Sequence, residues 1–316
     1  MLRTQIAQLV HALALQQCGS FHRAAGKLNM SQPGLSRSIA LLEETIGFRL
    51  FDRSSKGALP TAMGQTFLDR ARTIVDAMED LEREAYLASG GHHGQITVGT
   101  GPFPAAISVL PALARVISDH PTLRVRILQT GWEEATNLVL RRDVDFAVAD
   151  VGFAESRPGL STRVLGQHPV SFVCRPSHPL ARRVAPSLDE IFDWPVMAAQ
   201  IPQRLGEAAA RQLALGPGAI RPSIELDCVT QAAEVAITTD AVLTTPLVIV
   251  ERELREGRLI ALGTSFPWLA MRYGVIAMEG RAQSVAAQLF LDAIEAVEAE
   301  TRRLEADLRS RFHPDP

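Results

Sequence analysis

The residues best suited to chemistry cluster between Ser31 and Thr61. Gln32, Ser36 and Arg37 fall within a turn and a half of each other if that stretch is helical. An arginine can bond guanine O6 and N7 together, a glutamine can pair with adenine, and a serine can serve either. Pro33 can press on a thymine methyl, and Ser31 at a helix start suits a phosphate oxygen. Ser38 extends the same polar run. Arg53, just before a Ser-Ser-Lys-Gly turn, and Lys56, within it, flank the expected wing and would approach backbone phosphates or a minor groove, with Thr61 just behind them. Together these residues could read double-stranded DNA.

Signals for other chemistry are poor. The 316 residues contain no Gly-x-Ser-x-Gly, His-Glu-x-x-His or Walker run, and Gly99-Thr100-Gly101 lacks the third glycine of a dinucleotide loop. His92-His93 lies in a glycine-rich joint. His168 and His178 each precede a proline, as turn residues do, and Asp143, Asp145 and Asp150 read as solvated strand edges. Cys18, Cys174 and Cys228 are few, odd in number and widely spaced, so neither a disulfide framework nor a Cys-x-x-Cys metal site is expected. The reading is therefore not an enzyme, with no metal and no cofactor.

The elements that must hold the polar run can be read from periodicity. Residues 2–16 form an amphipathic helix. Ser20 N-caps a short helix over 21–28, and a tight turn leads to a third helix with Pro33 in its first turn, ended by Gly47. Residues 48–61 carry hairpin chemistry. Two short helices at a sharp turn make a helix-turn-helix, whose second helix enters the major groove. Residues 66–89 then read as one long helix. Phe67, Ala71, Ile74, Met78, Leu81 and Ala85 recur at steps of four and three, a heptad seam suited to pairing two chains. The glycine-rich joint 90–94 follows, and from 95 strands and helices alternate, implying a mostly parallel sheet. Two such sets in succession suggest two subdomains with a cleft between them.

Charge supports this division. Residues 1–65 hold seven Lys/Arg against three Asp/Glu, although the whole chain carries −3. A basic segment on an acidic protein suits a polyanion at that end. No apolar run reaches the ~18 residues of a membrane helix, and the first 30 residues lack a cleavable leader pattern. The expectation is a soluble, cytoplasmic protein.

The residues Gly19-Ser20-Phe21, Ala24-Ala25, the run from Leu28 to Ile39, Leu42-Glu43, Gly47, Leu50-Phe51-Asp52-Arg53, Gly57, Thr61 and Gly64 resemble the LysR-type transcriptional regulators. The resemblance covers essentially the whole chain. It implies an α+β protein: a winged helix-turn-helix (1–65), a linker helix and hinge (66–94), and an α/β effector domain (95–316). That last domain would have two Rossmann-like subdomains, as in periplasmic binding proteins, at about 95–166 plus 271–300 and about 167–270. It further implies a homodimer or homotetramer, a small-molecule effector in the cleft, and RNA polymerase as a possible partner. Thr239-Asp240-Ala241 stands where many members carry Gly-x-Gly, and Cys174 and Cys228 lack the spacing of the redox-sensing branch.

Ligands of open α/β sheets bind outside the carboxyl ends of strands. Those ends here are Thr100-Gly101, Thr130-Gly131, Thr230 and Thr244-Thr245, with Phe103 beside the first and Gln200 or Gln203 on the loop after Trp194. The start of the helix at Gly101–Pro104, with free N–H groups, would favour an anionic or oxygen-rich ligand such as an organic acid or sugar. Two alternatives stay open. The C-terminal domain could serve only to oligomerise a constitutive regulator, or the chain could be an α/β enzyme.

Overall fold

Leu9, Ala12 and Leu13 bury one face of α1 (Ile6–Cys18). This helix starts later than its periodicity suggests because Gln5 and Gln8 form a capping box at its N-terminus. It ends at Gly19, which takes a left-handed φ of 61° and returns its N–H to Leu15. A computed structural model of the protein describes residues 4–54, 57–88, 95–212, 222–266, 268–281 and 283–312, without the side chains of 53–54, 76, 79–80, 82–88 and 203–204. By backbone proximity the chain divides into two units, Met1–Gly90 and Gly91–Pro316.

In the first unit, α2 (Phe21–Lys27) follows Ser20, which occupies the N-cap without the side-chain hydrogen bond expected of it. The cap forms one helix later: Ser31 Oγ accepts from Gly34 N–H at 3.2 Å to open α3 (Gln32–Ile46). Leu35, Ile39 and Leu42 bury the inner face of α3, and Gly47 ends it at φ 83°. β1 (Phe51–Ser54) and β2 (Gly57–Pro60) make an antiparallel hairpin. Ala58 N–H bonds the Gly19 carbonyl, and any side chain at Gly57 would collide with that oxygen. α4 (Ala62–Ala88) begins four residues before the helix start at 66 read from periodicity, because Thr61 Oγ1 accepts from Gly64 N–H and caps it.

The second unit opens with β3 (Gln95–Thr100), the one-turn α5 (Pro102–Pro104), a π-helical turn at Ala105–Val109 and α6 (Leu110–Asp119). Next come β4 (Arg124–Gln129), α7 (Trp132–Leu140), β5 (Phe146–Asp150), β6 (Leu160–Pro169) and β7 (Ser171–Cys174). Then follow α8 (Leu188–Phe192), β8 (Val196–Ala198), α9 (Gln203–Gln212), β9 (Ile224–Glu225), α10 (Val229–Thr238), β10 (Val242–Thr245), α11 (Glu251–Arg255), β11 (Ile260–Ala261), β12 (Ala270–Met278) and α12 (Val285–Phe312).

These strands form two five-stranded sheets, ordered β4-β3-β5-β12-β6 and β11-β7-β10-β8-β9. In the first, β4, β3 and β5 are parallel and β12 is antiparallel to both its neighbours. The chain passes between sheets at two adjacent places. β6 ends at Pro169 and β7 begins at Ser171, while β12 leaves from Leu269, whose carbonyl bonds Val170 N–H. α12 spans both lobes: Phe290, Leu291 and Ile294 pack in the core of the first sheet, and Leu308 packs in that of the second.

Candidate functional site

The helix-turn-helix presents its expected reading residues unevenly. Gln32, Pro33 and Arg37 are exposed in the first turns of α3. Ser31 is exposed too, although its oxygen is engaged as the cap. Ser36 is half-buried. Ser38 faces inward, its hydroxyl 2.7 Å from His11 Nδ1. It links α3 to α1, so its placement fits positioning better than base contact. Thr61 is similarly committed, donating to the Arg49 carbonyl at 2.8 Å while capping α4. The Arg53 side chain and Lys56 lie outside the described residues.

One residue that the sequence placed only within the family pattern, with no role assigned, organises this unit. Glu43 Oε1 accepts from the N–H groups of Leu50 (2.7 Å) and Phe51 (3.2 Å), tying α3 to the first strand of the wing. The available signal was a glutamate beside the apolar stripe Leu35, Ile39, Leu42 and Ile46.

The seam on α4 divides in two. Ala71 is only 2% exposed and joins Leu68 and Val75 in the core of its own unit, with Phe67 packed against them. Ala71 therefore has almost no surface left for a second chain, which corrects its assignment to the pairing face. Ile74, Met78 and Leu81 do remain exposed, and the side chain of Ala85 is among those not described.

In the second unit, the threonines expected to meet a ligand have mostly spent their hydroxyls. Thr100 is fully buried and donates to the Gly101 carbonyl, and buried Thr245 donates to that of Pro246. Thr244 donates to the Met197 carbonyl at 3.1 Å. Thr230 is exposed on α10 and bonds Gln231. The helix start at Gly101 also differs from expectation. Pro102 and Pro104 have no N–H, and Ala105 N–H is returned to the Gly101 carbonyl, so the free donors inferred for an anion are largely missing.

Instead there is an apolar cavity of about 620 Å³, solvent at its opening included. Phe103 contributes from the first lobe. Phe172, Leu188, Phe192 and Leu205 contribute from the second, and Val170, Trp268 and Met271 from the crossing segments. Among the described residues, Gln200, Thr244 and the indole N–H of Trp268 are its polar lining groups. A neighbouring polar recess is lined by Thr130, Gly131, Glu133, Glu134, Asn137, Gln200, Glu225 and Asp227. Gln200 borders both, and any side chain at Gly131 would collide with its Oε1. Gln129 Nε2 donates to the Asp227 carbonyl at 2.7 Å, joining the lobes across this recess. The side chain of Gln203 lies outside the described residues.

Several minor readings need correction. His168 is not a turn residue: it lies in β6, 1% exposed. His178 does sit in a turn, where its Nδ1 accepts from Leu180 N–H. Asp150 is buried rather than a solvated edge, and Asp145 accepts from Thr97 N–H. His92-His93 lies outside the described residues. Burial pushes the Cys174 thiol up to about 12, leaving it without the thiolate that redox switching needs.

A family model described as bacterial regulatory helix-turn-helix protein, lysR family, matches residues 6–65, and one described as LysR substrate binding domain matches 89–299. The chain belongs to the LysR family. Among relatives of this LysR-type regulator, the SDS degradation transcriptional activation protein of a Pseudomonas species is 33% identical over 304 residues, covering 94% of this chain and 97% of that one. The uncharacterized regulator YdcI of Escherichia coli is 27% identical over 300 residues, covering 92% and 95%. Among solved structures, a full-length OxyR variant from Pseudomonas aeruginosa aligns over 93% of this chain and 95% of that one at a TM-score of 0.67, with 16% identity, a likeness of fold. The protein is thus a DNA-binding transcriptional regulator with an effector-binding domain, and its relatives are regulators rather than enzymes. Among the described residues, no helix is long and apolar enough to cross a membrane.

Proposed function

We propose that this LysR-type regulator reads operator DNA with Gln32, Pro33, Ser36 and Arg37 at the start of α3, and answers to an apolar small molecule held in the cavity beside Phe103. The observation that carries the reading is the pairing of an exposed Gln-Pro…Arg surface on a capped helix with a separate cavity lined from both lobes of the second unit. Ser31 and Arg53 would position the helix on phosphates, and Lys56 would add a further phosphate contact. The domains would divide at 1–65, 66–94 and 95–316, the last split about 95–166 plus 271–300 and 167–270. The exposed Ile74, Met78 and Leu81 would pair two chains, setting two reading heads on adjacent half-sites.

The SDS degradation regulator supports an effector with an alkyl chain, because an apolar cavity suits one and that relative matches over nearly its full length. Catalysis plays no part in this reading, which places the protein in the cytoplasm with DNA, and with RNA polymerase as a further partner. A gel-shift titration on the DNA flanking its own gene tests it. Wild type should bind there in preference to scrambled DNA, and Arg37→Ala should lose that preference. Equal binding to both sequences by wild type would overturn the reading.

A further inference from the structure

We infer that Ala40 is a further base-reading position of α3, and that it reads the methyl group of a thymine. This rests on the proposal that α3 lies in the major groove. Pro33, Ser36, Arg37 and Ala40 stand at i, i+3, i+4 and i+7, the spacing that puts side chains on one edge of a helix. Homeodomains read the major groove from four positions at the same spacing. The other edge of α3 is occupied, because Leu35, Ile39 and Leu42 are buried in the core of the first unit. Ala40 is exposed. A helix rises about 1.5 Å per residue, so Ala40 lies about 10 Å beyond Pro33, roughly three base-pair steps of about 3.4 Å.

The chemistry of the side chain selects the base. A methyl group neither donates nor accepts, so a hydrogen-bonding base edge pressed against it would lose its water without replacement. Thymine alone offers an apolar group in the major groove, its C5-methyl, and alanine is among the side chains suited to it. Ala40 is short, so this contact needs the helix to approach closely, and Pro33 and Ser36 on the same edge are small enough to permit that. Glu44 marks where the edge leaves the duplex. It is the next exposed residue along that edge, four beyond Ala40, and the phosphates would repel its carboxylate. Ala40 is therefore the last residue of the edge to meet a base. Leu41 is also exposed, at 52%, but it lies about 100° further round the helix. That turn carries it toward the side where Ser38 meets His11 of α1. Of the two exposed apolar residues in this turn, only Ala40 continues the line of Pro33, Ser36 and Arg37.

The experiment uses the full-length protein and the DNA flanking its own gene, amplified with either thymidine or deoxyuridine triphosphate. Uracil pairs as thymine does and lacks only the methyl. Scrambled DNA made both ways supplies the baseline. Wild type should bind the thymine form at least about fourfold more tightly than the uracil form, the worth of one methyl removed from water. In Ala40→Gly that ratio should fall about fourfold for each reading helix engaged. Ala40→Gln, which keeps a good helix former at the position, should lower the ratio as well. Leu41→Ala should keep the wild-type ratio. A wild-type ratio no larger than that of scrambled DNA would overturn the inference. So would an unchanged ratio in both Ala40 variants, or a fall confined to Leu41→Ala. Arg37→Ala separates such a failure from failure of the parent reading. If Arg37→Ala kept its preference for the flanking DNA over scrambled DNA, α3 would not be the reading helix and both would fall. Preference lost in Arg37→Ala, beside an unchanged ratio in the Ala40 variants, would strike Ala40 alone.

Discussion

His168 Nε2 lies 3.1 Å from Glu298 Oε2, with both side chains 1% exposed. Tyr273 stacks on the imidazole at 5.4 Å and donates its hydroxyl to the other Glu298 oxygen. His168 comes from β6, Tyr273 from β12 and Glu298 from α12, the three elements that pass between the lobes. Buried polar groups persist only when satisfied, so this cluster fixes how the crossing elements meet. Gly166 belongs to it, since a Cβ there would come within 2.8 Å of His168 Nε2. Tyr273→Phe keeps the ring and deletes the donor. It should cost ~1–3 kcal/mol of stability in denaturant unfolding. An unchanged midpoint would mean the cluster contributes little.

Two carboxylates on α12 should give opposite pH signatures. Burial alone would raise Glu298, but the hydrogen bonds from His168 and Tyr273 hold it below the ordinary carboxylate value. Its stabilisation is therefore present above the unfolded pKa and is lost as pH falls through the lower folded one. Glu305 is raised by burial, against the partial relief of accepting from Val248 and Leu247 N–H. Its contribution is full below the unfolded pKa and is lost as pH rises through the higher folded one. Stability against pH should accordingly lose its acid limb in Glu298→Gln, and lose a decline on the higher-pH side of the ordinary carboxylate value in Glu305→Gln. The same profile for both variants would contradict the assignment.

Much of the fold was legible because local rules agreed with tertiary demands. Leu35, Ile39 and Leu42 sit at helical spacing and are buried as a set, and Gly47 stops the helix where a left-handed residue is needed. The short strands at Val196–Ala198 and Ile260–Ala261 were not legible, because two or three residues carry no period. The site was less readable than the fold. Thr100 and Thr245 lie at strand ends as a ligand-binding rule predicts, yet a hydroxyl there can equally satisfy its own backbone, and it does. The apolar cavity draws on Phe172, Leu188, Phe192 and Trp268, which lie far apart in sequence, and only folding brings them together.

Thr100→Val follows from this. The hydroxyl serves the Gly101 carbonyl rather than the cavity, so its loss should leave effector affinity unchanged and cost ~0.5–1.5 kcal/mol of stability. A drop in affinity at constant stability would return Thr100 to the binding site.

Glu43 offers a test of how the reading helix is held. Replacing it by alanine strands the N–H groups of Leu50 and Phe51 at the root of the wing. Glu43→Ala should destabilise the first unit by ~1–3 kcal/mol and weaken operator binding with no contact to DNA removed. Glu43→Gln keeps one acceptor and should recover part of both losses. If Glu43→Ala bound DNA as wild type does at full stability, the wing would be held by its apolar packing alone.

The last prediction separates the two halves of α4. Ala71 and Val75 are buried in their own unit, whereas Leu81 is 57% exposed and lies outside that core. A charge at Leu81 therefore costs the single chain little, since the group stays in water. In a paired seam the same charge would be buried opposite its own copy, unpaired and repelled. Leu81→Asp should leave the unfolding of the isolated chain within ~0.5 kcal/mol of wild type. It should also shift sedimentation from dimer to monomer and abolish tight binding to a two-half-site operator. Ala71→Asp should instead unfold the first unit, because it places the charge in the core. A Leu81→Asp protein that sediments as wild type would move the dimer contact off this helix.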